Sequence, residues 1–149
     1  MRTHGHQPAV EAAVKRYSAL GEHGAAWVAI SALGAALDED RRGAFLRAGA
    51  TVAGSFVANQ AVKFAVRRPR PNLPDLPPLI KTMSNRSYPS AHATTCGAAA
   101  LRLGRLLPAA PIWVAAVTMA LTRPYLGVHY PSDSVAGFAL GVAVAELAA

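Results

Sequence analysis

Residues 87–101 read SYPSAHATTCGAAAL, so two polar groups, Ser90 and His92, stand where a run of small and apolar residues begins. Pro89 suits the first turn of a helix, which places a helix start at this point. The amides of Ser90, Ala91 and His92 would then point outward unpaired and, with the helix dipole, form an anion-binding site. Taken alone the motif is weak evidence, because a serine cap beside an incidental histidine explains it as well.

Composition indicates a chain with little water-facing surface. Of the 149 residues, 52% are hydrophobic and only 15% are charged, whereas soluble domains carry about 25% charged residues. Five stretches lack charge, and none reaches the roughly 20 apolar residues that cross a bilayer unaided; they are residues 24–37, 48–62, 87–101, 106–122 and 134–145. We therefore expect an all-α integral membrane bundle, with polar residues at the helix ends completing each span. A compact soluble bundle is the alternative.

The net charge is +7, from 15 Lys and Arg against 8 Asp and Glu. Such a basic surface suits nucleic acid, anionic lipid or a phosphorylated substrate. The basic residues cluster near segment ends and in one loop, without a basic run interleaved with aromatics, which argues against a nucleic-acid partner. The single cysteine, Cys96, excludes an intrachain disulfide.

Six helices are predicted within one domain of residues 1–149. Prolines, charged stops and turn signals delimit them, at about 8–20, 22–38, 42–67, 89–107, 110–123 and 131–148. The first is amphipathic and is expected to lie at the membrane surface, while about five span it. Residues 69–88 form a proline-rich loop, which is stiff enough to be an ordered lid or the wall of a substrate entrance.

The order of the helices brings distant segments to one membrane face. Because helices two to six alternate in direction, the connections after the third and after the fifth helix lie at the same end. Lys63, Arg70 and Arg123 fall there, and three converging cations would repel one another unless an anion lay between them. A phosphate monoester fits that description. The alternative is that helix-end cations reach the membrane surface, and we assign that role to Arg67, Arg68, Lys81, Arg86, Arg102 and Arg105.

His129 and Asp133 are four residues apart across the connection into the last helix. Asp133 can accept the ring N–H of His129, which would fix the tautomer and raise the basicity of a candidate general base or nucleophile. In the simpler alternative, Asp133 caps the helix and His129 is an interfacial residue. Two histidines and one aspartate are also a ligand set for a metal, but three nearby cations disfavour a divalent ion, and no metal is expected.

Taken together, these residues form three ordered blocks. The blocks are K-x6-R-P from Lys63, P-S-x-H from Pro89 and R-x5-H-x3-D from Arg123. Their combination closely resembles the three-part signature of the type 2 phosphatidic acid phosphatase superfamily, which includes membrane lipid phosphatases, soluble bacterial acid phosphatases and vanadium haloperoxidases. The sequence departs from the family pattern at Ala91, usually Gly, and at Thr122, usually Ser. Neither change removes a reacting group.

The resemblance implies a role for each residue of the blocks. His129 would attack phosphorus to form a phosphohistidine, Asp133 would hold its ring, and His92 would protonate the leaving alkoxide before water releases phosphate. The resemblance implies neither a metal nor another cofactor. It also implies a set of groups that bind the phosphate oxygens, namely Lys63, Arg70, Ser90, the Ala91 amide and Arg123.

The expected substrate is a lipid-linked phosphate, because an active site that opens at the membrane surface can receive the phosphate of an amphiphile while its tail stays in the lipid. Phosphatidate and phosphatidylglycerophosphate, polyprenyl diphosphates and polyprenyl-phosphate sugars all qualify. The loop stretch LPDLPPL at 73–79 is similar to the branch of the superfamily that acts on decaprenylphosphoryl phosphoribose. That likeness implies a phosphatase of cell-wall precursor synthesis.

The distribution of basic residues bears on membrane orientation. More of them lie at the catalytic end than at the opposite end, which favours a mouth on the cytoplasmic side of the cell membrane. Two other classes of function remain open: a membrane protein that binds anionic lipid without catalysis, and vanadate-dependent oxidation as in the haloperoxidase branch. The sequence does not set the oligomeric state.

Overall fold

A computed structural model of the chain describes residues 6–148. Within that range the secondary structure is all-α, as predicted, with a single 3-10 turn at Glu22–Gly24 between the first two α-helices. The six α-helices are α1 (Pro8–Leu20), α2 (Ala25–Leu37), α3 (Arg42–Val66), α4 (Ala91–Leu103), α5 (Ala109–Tyr125) and α6 (Pro131–Leu147).

The start of α4 differs slightly from the prediction. The first helical residue is Ala91 rather than Pro89, and Ser90 precedes it in an extended conformation, with its Oγ accepting a hydrogen bond from the Ala93 amide (3.4 Å). Ser90 is therefore the N-cap, as its hydroxyl favours. The helix also ends earlier than expected, at Leu103, because the chain turns at Gly104.

Helix α4 is the centre of the bundle and packs against α3, α5 and α6. Every residue from 92 to 100 is buried, which explains the small side chains of this stretch. A Cβ on Gly97 would meet the main chain of Phe138, and one on Gly141 would meet the main chain of Thr94. The α4–α6 contact thus depends on glycine because the two backbones touch.

Helix α1 packs onto the bundle. The Tyr17 hydroxyl donates to the Ala115 carbonyl of α5 (2.8 Å), and Ser18 is buried with 1% exposure. The expectation of five spanning helices is not matched by helix length and hydropathy: no helix within residues 6–148 is long and apolar enough to cross a membrane.

The α3–α4 loop and the α5–α6 connection lie at the same end of the bundle, which confirms the prediction from alternating helices. The Leu79 amide donates to the Leu126 carbonyl, and the Ser90 amide donates to the Asp133 carbonyl, both at 3.0 Å. Main-chain hydrogen bonds therefore fix the two connections to each other.

Candidate active site

A cavity of about 480 Å³ opens at this end of the bundle. Its walls come from the 3-10 turn, α3, the α3–α4 loop, the first turn of α4, the end of α5 and the α5–α6 connection. Of the eight predicted site residues, Ser90 and Asp133 are fully buried and do not line the cavity. The other six line it: Lys63, Arg70, Ala91, His92, Arg123 and His129.

Carbonyl and hydroxyl oxygens hold the three predicted cations around the cavity. Lys63 Nζ donates to the Arg86 carbonyl (3.4 Å), and Arg123 Nη1 donates to Ser18 Oγ (2.9 Å). Arg70 Nε donates to the Ser84 carbonyl (2.7 Å). These neutral partners orient the cations without neutralising them, so the cavity keeps an excess of positive charge.

Three N–H donors of residues that line this cavity are candidates for binding an anion. The buried Nε of Arg123 has no hydrogen-bond partner among the described residues, which is unusual for a buried polar atom. At the N-terminus of α4, the first intrahelical bond runs from the Thr94 amide to the Ser90 carbonyl, so the Ala91 and His92 amides precede it. The Ser90 amide is already bonded to Asp133, which corrects the expectation that it is free.

His129 lies between a carboxylate and a guanidinium. Its Nδ1 is 3.5 Å from Asp133 Oδ2, longer than a normal hydrogen bond, and its Nε2 is 3.2 Å from Arg70 Nη1. An arginine N–H can only donate, so this contact requires an unprotonated Nε2 and a proton on Nδ1, facing Asp133. The predicted pairing of His129 with Asp133 is thus present as an electrostatic contact.

The charge of His129 follows from its surroundings. Burial, helped by the nearby cations Arg70, Arg123 and Lys63, lowers the pKa of His129 to about 4, although Asp133 opposes this effect. Burial also lowers the pKa of Arg70 from its ordinary value. At neutral pH the imidazole is therefore uncharged, which is the form a nucleophile needs.

His92 faces the same cavity from the first turn of α4. Its side chain is buried, with 6% exposure, and its Nε2 lies 3.0 Å from the Ser18 carbonyl. Because a carbonyl only accepts, Nε2 carries a proton. The other ring nitrogen, Nδ1, is then the atom that can exchange a proton with a ligand.

Sequence reasoning missed Arg68, which it assigned to the membrane surface. Arg68 Nη1 donates to Asp133 Oδ1 (2.9 Å), and the guanidinium lies 4.0 Å from the centre of the Tyr130 ring. The other carboxylate oxygen of Asp133 accepts from the Tyr130 amide (2.9 Å). Arg68 therefore holds the carboxylate that faces His129, and its position in the RRPR run gives no signal for this role.

Sequence reasoning also missed Ser18. Its hydroxyl contacts Arg123 Nη1 and Thr122 Oγ1 (3.1 Å), while its carbonyl accepts from His92. No motif marks Ser18, because the contact joins α1 to residues about one hundred positions away. Across the described residues, no three His, Cys, Asp or Glu side chains are grouped as a metal site.

A second cavity, of about 380 Å³, lies between α5 and α6. The described residues that line it, which include Val117, Leu121, Val135 and Phe138, contain no titratable side chain. It therefore offers no group for acid–base or nucleophilic chemistry, and we assign the chemistry to the cavity that holds both histidines.

Comparison with known proteins agrees with the three sequence blocks. The sequence profile of the PAP2 superfamily matches residues 44–149. The decaprenylphosphoryl-5-phosphoribose phosphatase of Mycobacterium tuberculosis is 42% identical over 144 residues, which cover 95% of this chain and 80% of that protein. The protein of the same name from Mycolicibacterium smegmatis is 43% identical over 136 residues, covering 88% of this chain and 73% of that protein.

The fold is also similar to a solved structure, the transmembrane PAP2 type phosphatidylglycerolphosphate phosphatase from Bacillus subtilis. The TM-score is 0.75 at 24% identity, over 96% of this chain and 76% of that one. This likeness concerns the fold alone. The family expected from the sequence is confirmed: the chain belongs to the PAP2 superfamily.

Proposed function

We propose that this protein is a lipid-phosphate phosphatase that works through a phosphohistidine on His129. One observation carries the proposal. The lining of a single cavity includes His129, whose Nε2 can act as the nucleophile, and His92, whose Nδ1 can transfer a proton. It also includes the three predicted cations and two main-chain amides that can bind the phosphate oxygens. That set supplies what a phosphoryl transfer needs, namely positioning and charge stabilisation.

In the first step Nε2 of His129 attacks phosphorus and the ester P–O bond breaks. Because Nε2 of His92 carries the proton of the neutral ring, Nδ1 takes a proton from the bound phosphate monoanion and passes it to the leaving oxygen, so the lipid-linked alcohol departs neutral. In the structure Nε2 accepts a hydrogen bond from Arg70 Nη1 (3.2 Å). A bound phosphate oxygen draws that N–H away from the ring and thereby frees the lone pair for attack.

In the second step water attacks the phosphohistidine. Nδ1 of His92 accepts the proton of that water, the N–P bond breaks, and His92 returns the proton to the departing phosphate, which restores both histidines. Asp133 balances the positive charge that His129 carries while it is phosphorylated, from 3.5 Å. Ser90 contributes as the N-cap that fixes the Ala91 and His92 amides towards the phosphate.

The substrate we propose is decaprenylphosphoryl phosphoribose, cleaved at its 5-phosphate. The protein of that name in Mycobacterium tuberculosis is 42% identical to this chain over 144 residues, which are 95% of this chain and 80% of that protein. The cavity, at about 480 Å³, has room for more than the phosphoryl group. Polyprenyl diphosphates, phosphatidate and phosphatidylglycerophosphate are the competing substrates.

We also propose that the protein acts at the cell membrane with the cavity on the cytoplasmic side. Large apolar side chains are exposed on several helices, among them Leu33, Val57, Phe64, Val114 and Val135. Exposed apolar patches of this kind mark contact with lipid or protein. The excess of basic residues at the cavity end supports the cytoplasmic orientation.

The test measures phosphate release by purified protein in detergent from a polyprenylphosphoryl ribose 5-phosphate, a polyprenyl diphosphate and a phosphatidate. We expect the first to have the highest kcat/KM, with activity unaffected by a chelator and abolished in His129→Ala. The control is His6→Ala, which changes a histidine beside α1, outside the cavity. Chelator-sensitive turnover, or activity that survives in His129→Ala, would contradict the mechanism.

A further inference from the structure

Residues 21–24, GEHG, form a tightly packed turn at the edge of the catalytic cavity. A Cβ on Gly21 would lie 2.5 Å from Met119 Sδ and 3.0 Å from His92 Cδ2. A Cβ on Gly24, whose φ is +76°, would lie 3.0 Å from Val52 Cγ1. Glycine is thus favoured at both ends of the turn, for space at the first and for conformation at the second. The position of the two residues between them is fixed against α3 and α4.

His23, within this turn, has a φ of +52°. A non-glycine residue with positive φ is uncommon and costs free energy, and such residues concentrate at ligand-binding sites. The ring of His23 makes an edge contact with Phe56 of α3, with centroids 5.4 Å apart. Glu22 and His23 both line the cavity, so the strained turn presents two polar side chains to the ligand.

The carboxylate of Glu22 does not suit the binding of a phosphate. It is the only acid that lines the cavity among the described residues, against four lysines and arginines in the same lining. A carboxylate repels a phosphate dianion, but it accepts strongly from hydroxyl groups. Gln60 of α3 lines the same cavity and can both donate and accept. These groups suit a hydroxylated carbon skeleton better than a second phosphate or an acyl chain.

We propose that Glu22 and Gln60 form a subsite for the hydroxyl groups of the sugar that carries the scissile phosphate. The subsite rests on the proposed phosphatase function and extends it: the cations hold the phosphate, and the GEHG turn selects a polyol over a plain alkyl or diphosphate ester. Glu22 acts on ligand binding and takes no part in proton transfer.

The test separates binding from turnover by working in the His129→Ala background. Affinities are measured calorimetrically in detergent for a short-chain polyprenylphosphoryl ribose 5-phosphate and for an analogue in which an unsubstituted five-carbon chain replaces the ribose. Adding Glu22→Ala should weaken binding of the ribose ligand by about tenfold or more, because a hydrogen bond to a charged group is lost. Binding of the analogue should stay equal or become tighter.

The matched control is Asp40→Ala, which removes a carboxylate from the α2–α3 turn, away from the cavity. It should leave both affinities unchanged. An equal loss for the two ligands, or no loss for the ribose ligand, would overturn the subsite. Failure of the unmodified protein to release phosphate from any ester, with the ligand preference intact, would overturn the phosphatase function alone.

Discussion

At the scale of single residues, His129 is held between groups that act on its charge in opposite directions. Burial disfavours the imidazolium most strongly, Asp133 favours it, and Arg70, Arg123 and Lys63 add to the effect of burial. The result is a ring that stays neutral well below the pH at which an exposed histidine becomes charged. The cations that we propose to bind the phosphate thus also help to keep the imidazole neutral.

This balance predicts the titration of His129. Its folded pKa, about 4, lies below the ordinary 6.5, so the ring should remain neutral as the pH falls through 6.5 and become protonated only near 4. Sulfate should raise the midpoint, because a bound anion offsets the charge of the cations. NMR of ring-labelled histidines in detergent measures the titration midpoint with and without sulfate, and the His129 signal is assigned by its loss in His129→Asn. A midpoint near 6.5 without sulfate would contradict the prediction.

Arg68 and Arg67 are neighbours with different surroundings, and they form a matched pair. Arg68 bonds to Asp133, whose side chain is fully buried, whereas the side chain of the exposed Arg67 bonds, within residues 6–148, only to the Phe64 carbonyl. Arg68→Gln should lower kcat and cost about 1–3 kcal/mol of unfolding free energy, because a buried carboxylate loses a charged donor. Arg67→Gln should change stability by less than about 0.5 kcal/mol. Equal effects in activity assays and thermal unfolding would contradict the assignment.

At the scale of helices, α1 contacts two of the proposed site residues although it lies outside the matched family region, residues 44–149. Its Ser18 hydroxyl orients Arg123, and its carbonyl orients His92. Ser18→Ala removes only the hydroxyl contact, so Arg123 loses the group that orients it. We expect the inhibition constant for phosphate to rise and kcat/KM to fall, each by about tenfold. Ser31→Ala in α2, which loses a bond to Trp27 within its own helix, should leave both unchanged. Unaltered phosphate inhibition in Ser18→Ala would refute the positioning role.

The contact between α4 and α6 places His92 and Asp133 relative to each other, and it depends on glycine. Gly141→Ala should lower the unfolding free energy by about 1–3 kcal/mol, because the added methyl meets the Thr94 main chain. Gly54→Ala in α3 is the control: nothing lies within 4 Å of its Cβ position. That change should stabilise the protein by about 0.5–1 kcal/mol. Thermal unfolding in detergent distinguishes the two, and a Gly141→Ala variant as stable as the parent would contradict the packing argument.

At the scale of the whole molecule, every group we assign to catalysis lies at one end of the bundle. The orientation of that end can be tested with cysteine labelling, since the single native cysteine, Cys96, is buried. Met83, 89% exposed in the α3–α4 loop, offers a site for Met83→Cys, and Asp40→Cys marks the opposite end. A membrane-impermeant maleimide should label the second but not the first in intact cells, and both after permeabilisation. Labelling of Met83→Cys in intact cells would place the cavity outside.

The sequence predicted the helices and their meeting point well. Prolines and charged stops delimit helices locally, and alternation of direction then places the two connections at one end. The blocks from Lys63 to Asp133 therefore predicted most of the residues that meet at the cavity. The predicted start of α4, near Pro89, was two residues too early. Proline suits the first turn and serine suits the N-cap, and only the observed backbone shows that Ser90 is the N-cap.

What the sequence by itself determined is the family, the number of helices and the residues that converge, because these depend on local propensity and on the order of motifs along the chain. What only the tertiary structure decided is which partners complete the site. Arg68 rather than Arg67 reaches Asp133, Ser18 reaches Arg123, and Glu22 enters the cavity. Such pairings depend on the rotation of each helix and on side-chain packing at close range, and no spacing within the sequence encodes them.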